Sequence, residues 1–352
     1  MVQVSVETHK DARWQRYDTK HSPFLELQTP FTPGEAVKTA IMVPVAILRC
    51  MLALVLLIVL AGLSFIAACG WPLDQPFPPW RRNLVVLGSK FAGAILLAIG
   101  CRVRVRGWEN VVKGRAAGAL GLFNHTSYVD AVVMMWLLTP SGVSKASNAD
   151  IPLLGTCIKA FQNIYVSRES IDKERSNARA PGGAQSVSQM IAARAKDRRF
   201  PMLVMAPEGT TGDGRCILQF RTGAFVPGVP VLPVCLVYGK RCHNPAWTIV
   251  NEPWHFLRLV TQFRTRLDIA ILPPYTPSAE ERADPKLYAA NVRALYCRAM
   301  GLPLVEQSQE DYLALTRAGV SVSLDGCHVV APPGVVDADG IANLTSRIKK
   351  RA

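Results

Sequence analysis

The sequence predicts an α/β fold, a layered sheet with flanking helices, preceded by a membrane-embedded helical hairpin. Three observations carry that prediction. From about residue 102 to 275, short apolar runs of strand character alternate with helical stretches, as in a sheet covered by helices. A charge-free stretch rich in leucine, valine and alanine runs from Cys50 to Cys69, long enough to cross a hydrocarbon core of roughly 30 Å. A second apolar segment, Leu84 to Cys101, is interrupted only by Lys90.

Taken in order, residues 1–40 form a polar arm without apolar periodicity, expected to be mobile. Residues 41–101 follow as the membrane-anchoring segments. Between their apolar halves, Gly70 to Arg82 carries Pro72, Pro76, Pro78 and Pro79 and is expected to be a loop. Trp71, Trp80, Arg81 and Arg82 suit a membrane interface, although basic residues on both sides leave the orientation open. A globular domain is expected over 102–318, with strands at 102–106, 119–123, 163–167, 202–206, 231–237 and 267–272. Its helices are expected at 127–138, 184–197 and 285–300, with a loop over 170–183. Residues 319–352 read as an irregular basic tail. Asp337 to Gly340 looks like part of a calcium loop, but Val335 and Ser346 stand where acidic ligands belong.

Composition narrows the function classes. A chain of 352 residues holds one good-sized domain with appendages or two small ones. The formal charge of +14 calls for an acidic partner or surface. Nucleic acid is the poorer candidate, because there is no zinc-finger spacing, basic-region heptad or aromatic RNA-binding strand; membrane lipid fits better. Arg102, Arg104 and Arg106 alternate with valine, so a strand places them on one face, either solvated or against lipid. The nine cysteines form no Cys-x-x-Cys pair, and Cys242-His243 has no second pair at ligand spacing, so no metal site is expected.

Chemistry concentrates in Asn124-His125-Thr126-Ser127-Tyr128-Val129-Asp130, which follows an apolar run ending at Phe123. Such a placement sets His125 at a strand end, with Asp130 in the first helical turn close enough to orient its ring. A base held by a carboxylate can take a proton from an alcohol. Ser127 and Asp130 also satisfy a capping-box spacing, which gives the same residues a structural role. Three further blocks follow: Asn163 to Arg168, Phe200 to Thr211 with Pro207-Glu208-Gly209-Thr210, and Phe220 to Val234 with Arg221.

With these four blocks in order, the chain resembles the glycerolipid acyltransferase family over roughly residues 84–315. It is most similar to the lysophosphatidylethanolamine and lysophosphatidylcholine acyltransferases, through Ile164 to Arg168, Glu208 to Thr211 and Gly223 to Phe225. The resemblance implies the acyltransferase-type layered sheet and direct acyl transfer from acyl-CoA to the free hydroxyl of a lysophospholipid. His125 would be the general base, oriented by Asp130. Arg168, Glu208, Gly209, Thr210 and Arg221 would bind substrate, the arginines through phosphate. No metal and no cofactor is implied beyond acyl-CoA as co-substrate. Where relatives using lysophosphatidic acid or glycerol phosphate carry arginine after Pro-Glu-Gly-Thr, this chain has Thr211, which suits a singly charged phosphodiester. Acylation of glycerol 3-phosphate or lysophosphatidic acid is the alternative, and a non-catalytic membrane lipid-binding protein is the rival from another class. Lys349-Lys350-Arg351 resembles an endoplasmic-reticulum retrieval signal read in the cytosol, with a solvated basic end as the alternative. Asn124-His125-Thr126 is a glycosylation sequon whose glycan would obstruct the histidine, so a cytosol-facing domain on that membrane is expected.

Overall fold

The computed structural model describes residues 22–166 and 187–331. Two long helices come first, α1 (Pro33–Ala68) and α2 (Pro79–Ala98). Thr32 caps α1 by accepting from the Glu35 amide at 3.3 Å, and Pro33 occupies the first turn, where a missing N–H costs nothing. At 36 residues α1 is about 54 Å long, and it is the one described helix long and apolar enough to cross a membrane. The expected loop is shorter than its prolines indicated. Pro79 opens α2, so Trp80, Arg81 and Arg82 lie in its first turn.

The hairpin is not free-standing. Arg49 of α1 donates to the carbonyls of Val260, Gln262 and Phe263, at 2.6 to 3.0 Å. Further along, Leu60, Ala61 and Ala67 pack with Val85 and Ala92 of α2 against Met135, Cys157, Ile158 and Phe161 of the globular domain. Gly93 lets α2 approach closely: a Cβ there would meet the Trp136 ring at 2.5 Å.

The domain is built from β1 (Cys101–Arg106), α3 (Glu109–Ala117), β2 (Leu120–Phe123), α4 (Val129–Leu138), β3 (Ser141–Lys145), α5 (Leu154–Ala160) and β4 (Ile164–Val166). After the undescribed segment come α6 (Val187–Lys196), β5 (Leu203–Met205), β6 (Val231–Tyr238), α7 (Glu252–Val260) and β7 (Thr265–Ile271). Next are α8 (Ala279–Ala283), α9 (Pro285–Met300) and α10 (Gln309–Arg317), then the short strands β8 (Ser321–Val322) and β9 (Val329–Val330). Seven strands form one sheet in the order β1-β7-β6-β2-β5-β3-β4. Strands β2 to β6 run parallel, while β7 is antiparallel to β6 and β1 follows β7.

Period-two alternation splits the core between the two faces of the sheet. Leu120, Leu122, Val231 and Cys235 meet α6 and α9 through Ile191, Tyr288, Val292 and Tyr296. Phe123, Leu232, Val234, Leu236 and Tyr238 meet α4 through Val129, Val133, Met134 and Leu137. Parallel pairing of β2 with β5 sets their C-terminal ends side by side, with Leu122 opposite Met205. The blocks after both strands therefore converge at the C-terminal end of these neighbouring central strands.

The two ends depart from expectation. Residues 22–32 are not a loose arm: Phe24 and Leu25 are buried among Cys216, Leu218, Val305, Leu315 and Val320. Two apolar residues in a polar stretch show no periodicity, so only the tertiary partner reveals their role. Residues 319–331 hold the β8–β9 hairpin, whose Leu324 carbonyl accepts from the Trp254 indole at 2.8 Å. The remaining tail, including Asp337 and Lys349 to Arg351, lies outside the described residues, as do residues 1–21.

Candidate active site

His125 stands just past the end of β2, and Asn124 fixes that end. The Asn124 amide donates to the Leu236 carbonyl at 2.9 Å and accepts from its N–H at 2.7 Å, tying β2 to β6. Asn124 is buried with both ends of its amide engaged, so the sequon cannot carry a glycan in this fold. The His125 Nδ1 lies 2.9 Å from Asp130 Oδ2. Its side chain keeps 25% of its surface exposed, whereas that of Asp130 has none. With Nδ1 facing a carboxylate, Nε2 is the ring nitrogen left for a substrate proton.

Asp130 is held by more than histidine. Its Oδ2 accepts from the backbone N–H groups of Thr126 at 2.7 Å and Ser127 at 2.9 Å. Its Oδ1 accepts from the Tyr238 hydroxyl at 2.5 Å. Burial and the Asp130 charge hold the Tyr238 phenol well above its ordinary pKa, so it serves as a donor. The expected capping box is not formed, since α4 starts after Tyr128 without a side-chain cap; the Asp130 carboxylate closes the turn before the helix and also faces the imidazole. Buried charges persist only when paired and hydrogen-bonded, and Asp130 meets that condition.

The Pro207–Thr210 block approaches from β5. Glu208 is 2% exposed, and its Oε2 accepts from the His125 backbone N–H at 3.1 Å. Burial pushes its carboxyl up to about 8, against hydrogen bonds from the His125 and Leu218 amides that favour the charged form. Glu208 thus anchors the main chain of His125 from below, a placement that differs from an open substrate-facing carboxylate. Gly209 has φ +71°, and a Cβ on it would meet Arg221 Cδ at 2.8 Å. The Arg221 backbone N–H donates to the Pro207 carbonyl at 2.7 Å, and its side chain is exposed beside this loop. Thr210 is buried. Thr211 is also buried, and its hydroxyl donates to the Trp247 carbonyl, so its side chain faces inward.

Of the expected site residues, the fold brings His125, Asp130, Glu208, Gly209, Thr210 and Arg221 to one end of the sheet, past β2 and β5; Arg168 lies outside the described residues. Two contributors were missed, Tyr238 and Asn124. Tyr238 ends β6, the strand beside β2, and a polar ring closing an apolar strand was the available signal. The arrangement holds a partly open imidazole against a buried carboxylate, with the exposed Arg221 next to Gly209 of the adjoining block.

The chain matches the family described as Acyltransferase over residues 102–237. It is 35% identical over 300 residues to a lysophosphatidylcholine acyltransferase of Drosophila melanogaster, covering 80% of this chain and 52% of that protein. It is 30% identical over 282 residues to human lysophosphatidylcholine acyltransferase 2, covering 79% and 50%. To the lysophospholipid acyltransferase LPEAT1 of Arabidopsis thaliana it is 34% identical over 259 residues, covering 66% and 63%. The chain spans about half the length of the first two of these relatives. The crystal structure of the 1-acyl-sn-glycerophosphate acyltransferase PlsC from Thermotoga maritima superposes with TM-score 0.51 at 18% identity, covering 75% of this chain and 98% of that one. That likeness establishes the fold. Through the domain at residues 102–237, the chain belongs to the Acyltransferase family.

Proposed function

We propose that this protein acylates the free hydroxyl of a lysophospholipid, with acyl-CoA as donor and no further cofactor. The observation that carries the proposal is the His125–Asp130 pair, with Nδ1 engaged by a buried carboxylate and part of the ring open to the outside. Nε2 accepts the hydroxyl proton as the oxygen attacks the thioester carbonyl. The C–O bond forms, the C–S bond breaks, and the imidazolium returns the proton to the departing thiolate. Asp130 stabilises the imidazolium as it forms. Arg221, exposed beside Gly209, supplies a cation for the acceptor phosphate, with Arg168 as a second.

The relatives named for lysophosphatidylcholine, and the plant lysophospholipid enzyme, support a head-group-bearing acceptor such as lysophosphatidylcholine or lysophosphatidylethanolamine. The apolar helix α1 supports action at a membrane, and we propose the endoplasmic reticulum with the domain facing the cytosol. One experiment tests the core of this reading. Purified full-length protein receives labelled acyl-CoA with lysophosphatidylcholine, lysophosphatidylethanolamine, lysophosphatidic acid or glycerol 3-phosphate, beside a His125→Ala control. Product from the first two, lost by at least about a hundredfold in the control, is expected. Product from lysophosphatidic acid or glycerol 3-phosphate alone would overturn the acceptor class. No product from any acceptor would favour a lipid-binding role.

A further inference from the structure

A second cavity, of about 290 Å³, opens at the end of the sheet opposite His125. It lies where β2 and β5 begin and where α3, α4 and α6 end, lined by Leu120, Leu138, Phe200 and Leu203 among others. This volume is near the lower end of ligand pockets, about 300 Å³, and far above the roughly 30 Å³ share of one water. Its wall carries four guanidinium groups, Arg82, Arg115, Arg194 and Arg198, against a single carboxylate, Asp197. Asp197 is itself engaged by Arg199 at 2.7 Å.

The bland explanation is that the arginines cap helix ends. They do so: Arg82 donates to the Thr139 carbonyl, Arg115 to Leu138, and Arg198 to Arg115 and Ala116. Arg194 donates to Ser141 Oγ and the Gln162 carbonyl. Charge decides that capping is not the whole account. Three helix C-termini carry about half a negative charge each. With Asp197 paired by Arg199, and with Asp74, which acts on Arg194 from outside the wall, counted in full, four guanidiniums still leave an excess of about one and a half positive charges at the cavity. Donor capacity agrees. Among the described residues each guanidinium makes these bonds through one nitrogen, leaving the rest of its five N–H donors.

We propose that this cavity binds a phosphate-bearing group, separate from the acyl-transfer site. Planar guanidinium forks match phosphate oxygens, and several converging forks select a polyvalent anion over a carboxylate. The neighbourhood assigns the source to membrane phospholipid. Arg82 lies in the first turn of α2, next to exposed Trp80, and Arg81 stacks over the Trp80 and Trp71 rings at 4.6 and 5.3 Å. Tryptophan and arginine together at a hairpin end mark the head-group layer. An acidic head group held there would fix the hairpin end against the domain, whichever acceptor the enzyme uses.

The test measures the thermal midpoint of full-length protein in neutral-detergent micelles. Micelles are doped with phosphatidic acid or with phosphatidylcholine, and a third sample receives inorganic phosphate at matched ionic strength. The double variant Arg115→Gln/Arg198→Gln removes two forks while keeping amide donors. Ala195→Glu puts a carboxylate into the wall and leaves every capping bond intact, so it stands if the double variant misfolds. Arg221→Gln reports on binding at the catalytic end of the sheet. Phosphatidic acid should raise the midpoint and phosphatidylcholine should not, with apparent affinity at least about tenfold weaker in the pocket variants and unchanged in Arg221→Gln. The same pattern with inorganic phosphate alone would sustain the site and make its ligand soluble. No rise with either anion, or a rise lost only in Arg221→Gln, would overturn the proposal.

Discussion

Replacing Asp130 by asparagine tests the catalytic geometry with little disturbance of the fold. The asparagine carbonyl can take the place of Oδ2 and accept from the Thr126 and Ser127 amides and from His125. Its amide then faces the Tyr238 hydroxyl, which can turn from donor to acceptor. The turn survives and the charge is gone. At 2.9 Å and an effective dielectric of about 20, a carboxylate stabilises an imidazolium by up to roughly 6 kcal/mol. A quarter of the His125 side chain is open to solvent, which screens part of that interaction. Taking about half of it, near 3 kcal/mol, kcat should fall about a hundredfold. In the proposed mechanism the Asp130 charge acts chiefly on the transition state, so KM should stay within about twofold. Initial rates over a range of acyl-CoA and acceptor concentrations would separate the two constants. A variant with native circular dichroism and kcat within about threefold of wild type would refute the role given to the Asp130 charge.

Tyr238→Phe leaves Asp130 Oδ1 buried without its donor and should cost about 1–3 kcal/mol, read as a lower thermal midpoint, with a smaller loss of kcat than in Asp130→Asn. Glu208 titrates higher in the folded chain than unfolded, so its stabilising contribution is complete below about 4.5 and lost as pH rises through about 8. Over that window the midpoint of wild type should fall more steeply than that of Glu208→Gln; parallel curves would contradict the burial assignment. The α1–α2 hairpin should keep the full chain in the membrane pellet through alkaline carbonate extraction, and a soluble full-length protein would argue against membrane attachment.

Much of this was legible because the decisive patterns are local. His125 and Asp130 have four residues between them across a strand end and a helix start, so their meeting follows from chain geometry alone. The buried parallel strands announce themselves as apolar runs at Leu120 to Phe123 and Val231 to Tyr238. What escaped is non-local or polar. Tyr238 reaches Asp130 from 108 residues away, a pairing set by β6 lying beside β2. Strand β3, Ser-Gly-Val-Ser-Lys, has no apolar signature and exists because β4 and β5 pair with it. Thr211 shows the subtler limit. A motif position can face the ligand or the interior, and only the Trp247 carbonyl against its hydroxyl tells which; an arginine there would have to displace the 246–248 segment.

The clamped hairpin bears on any attempt to obtain the domain alone. Arg49 fastens one point of α1 and the Leu60–Ala67 stretch fastens another, separated by about 17 to 27 Å of helix. Cutting the chain after α2 would strip the lid from Met135, Trp136, Cys157, Ile158 and Phe161, which now lie beneath the two helices. Uncovering such a cluster exposes a continuous greasy surface, and surfaces of that kind drive self-association. The truncated domain should therefore precipitate instead of dissolving. The anchor of this protein is also part of its interior.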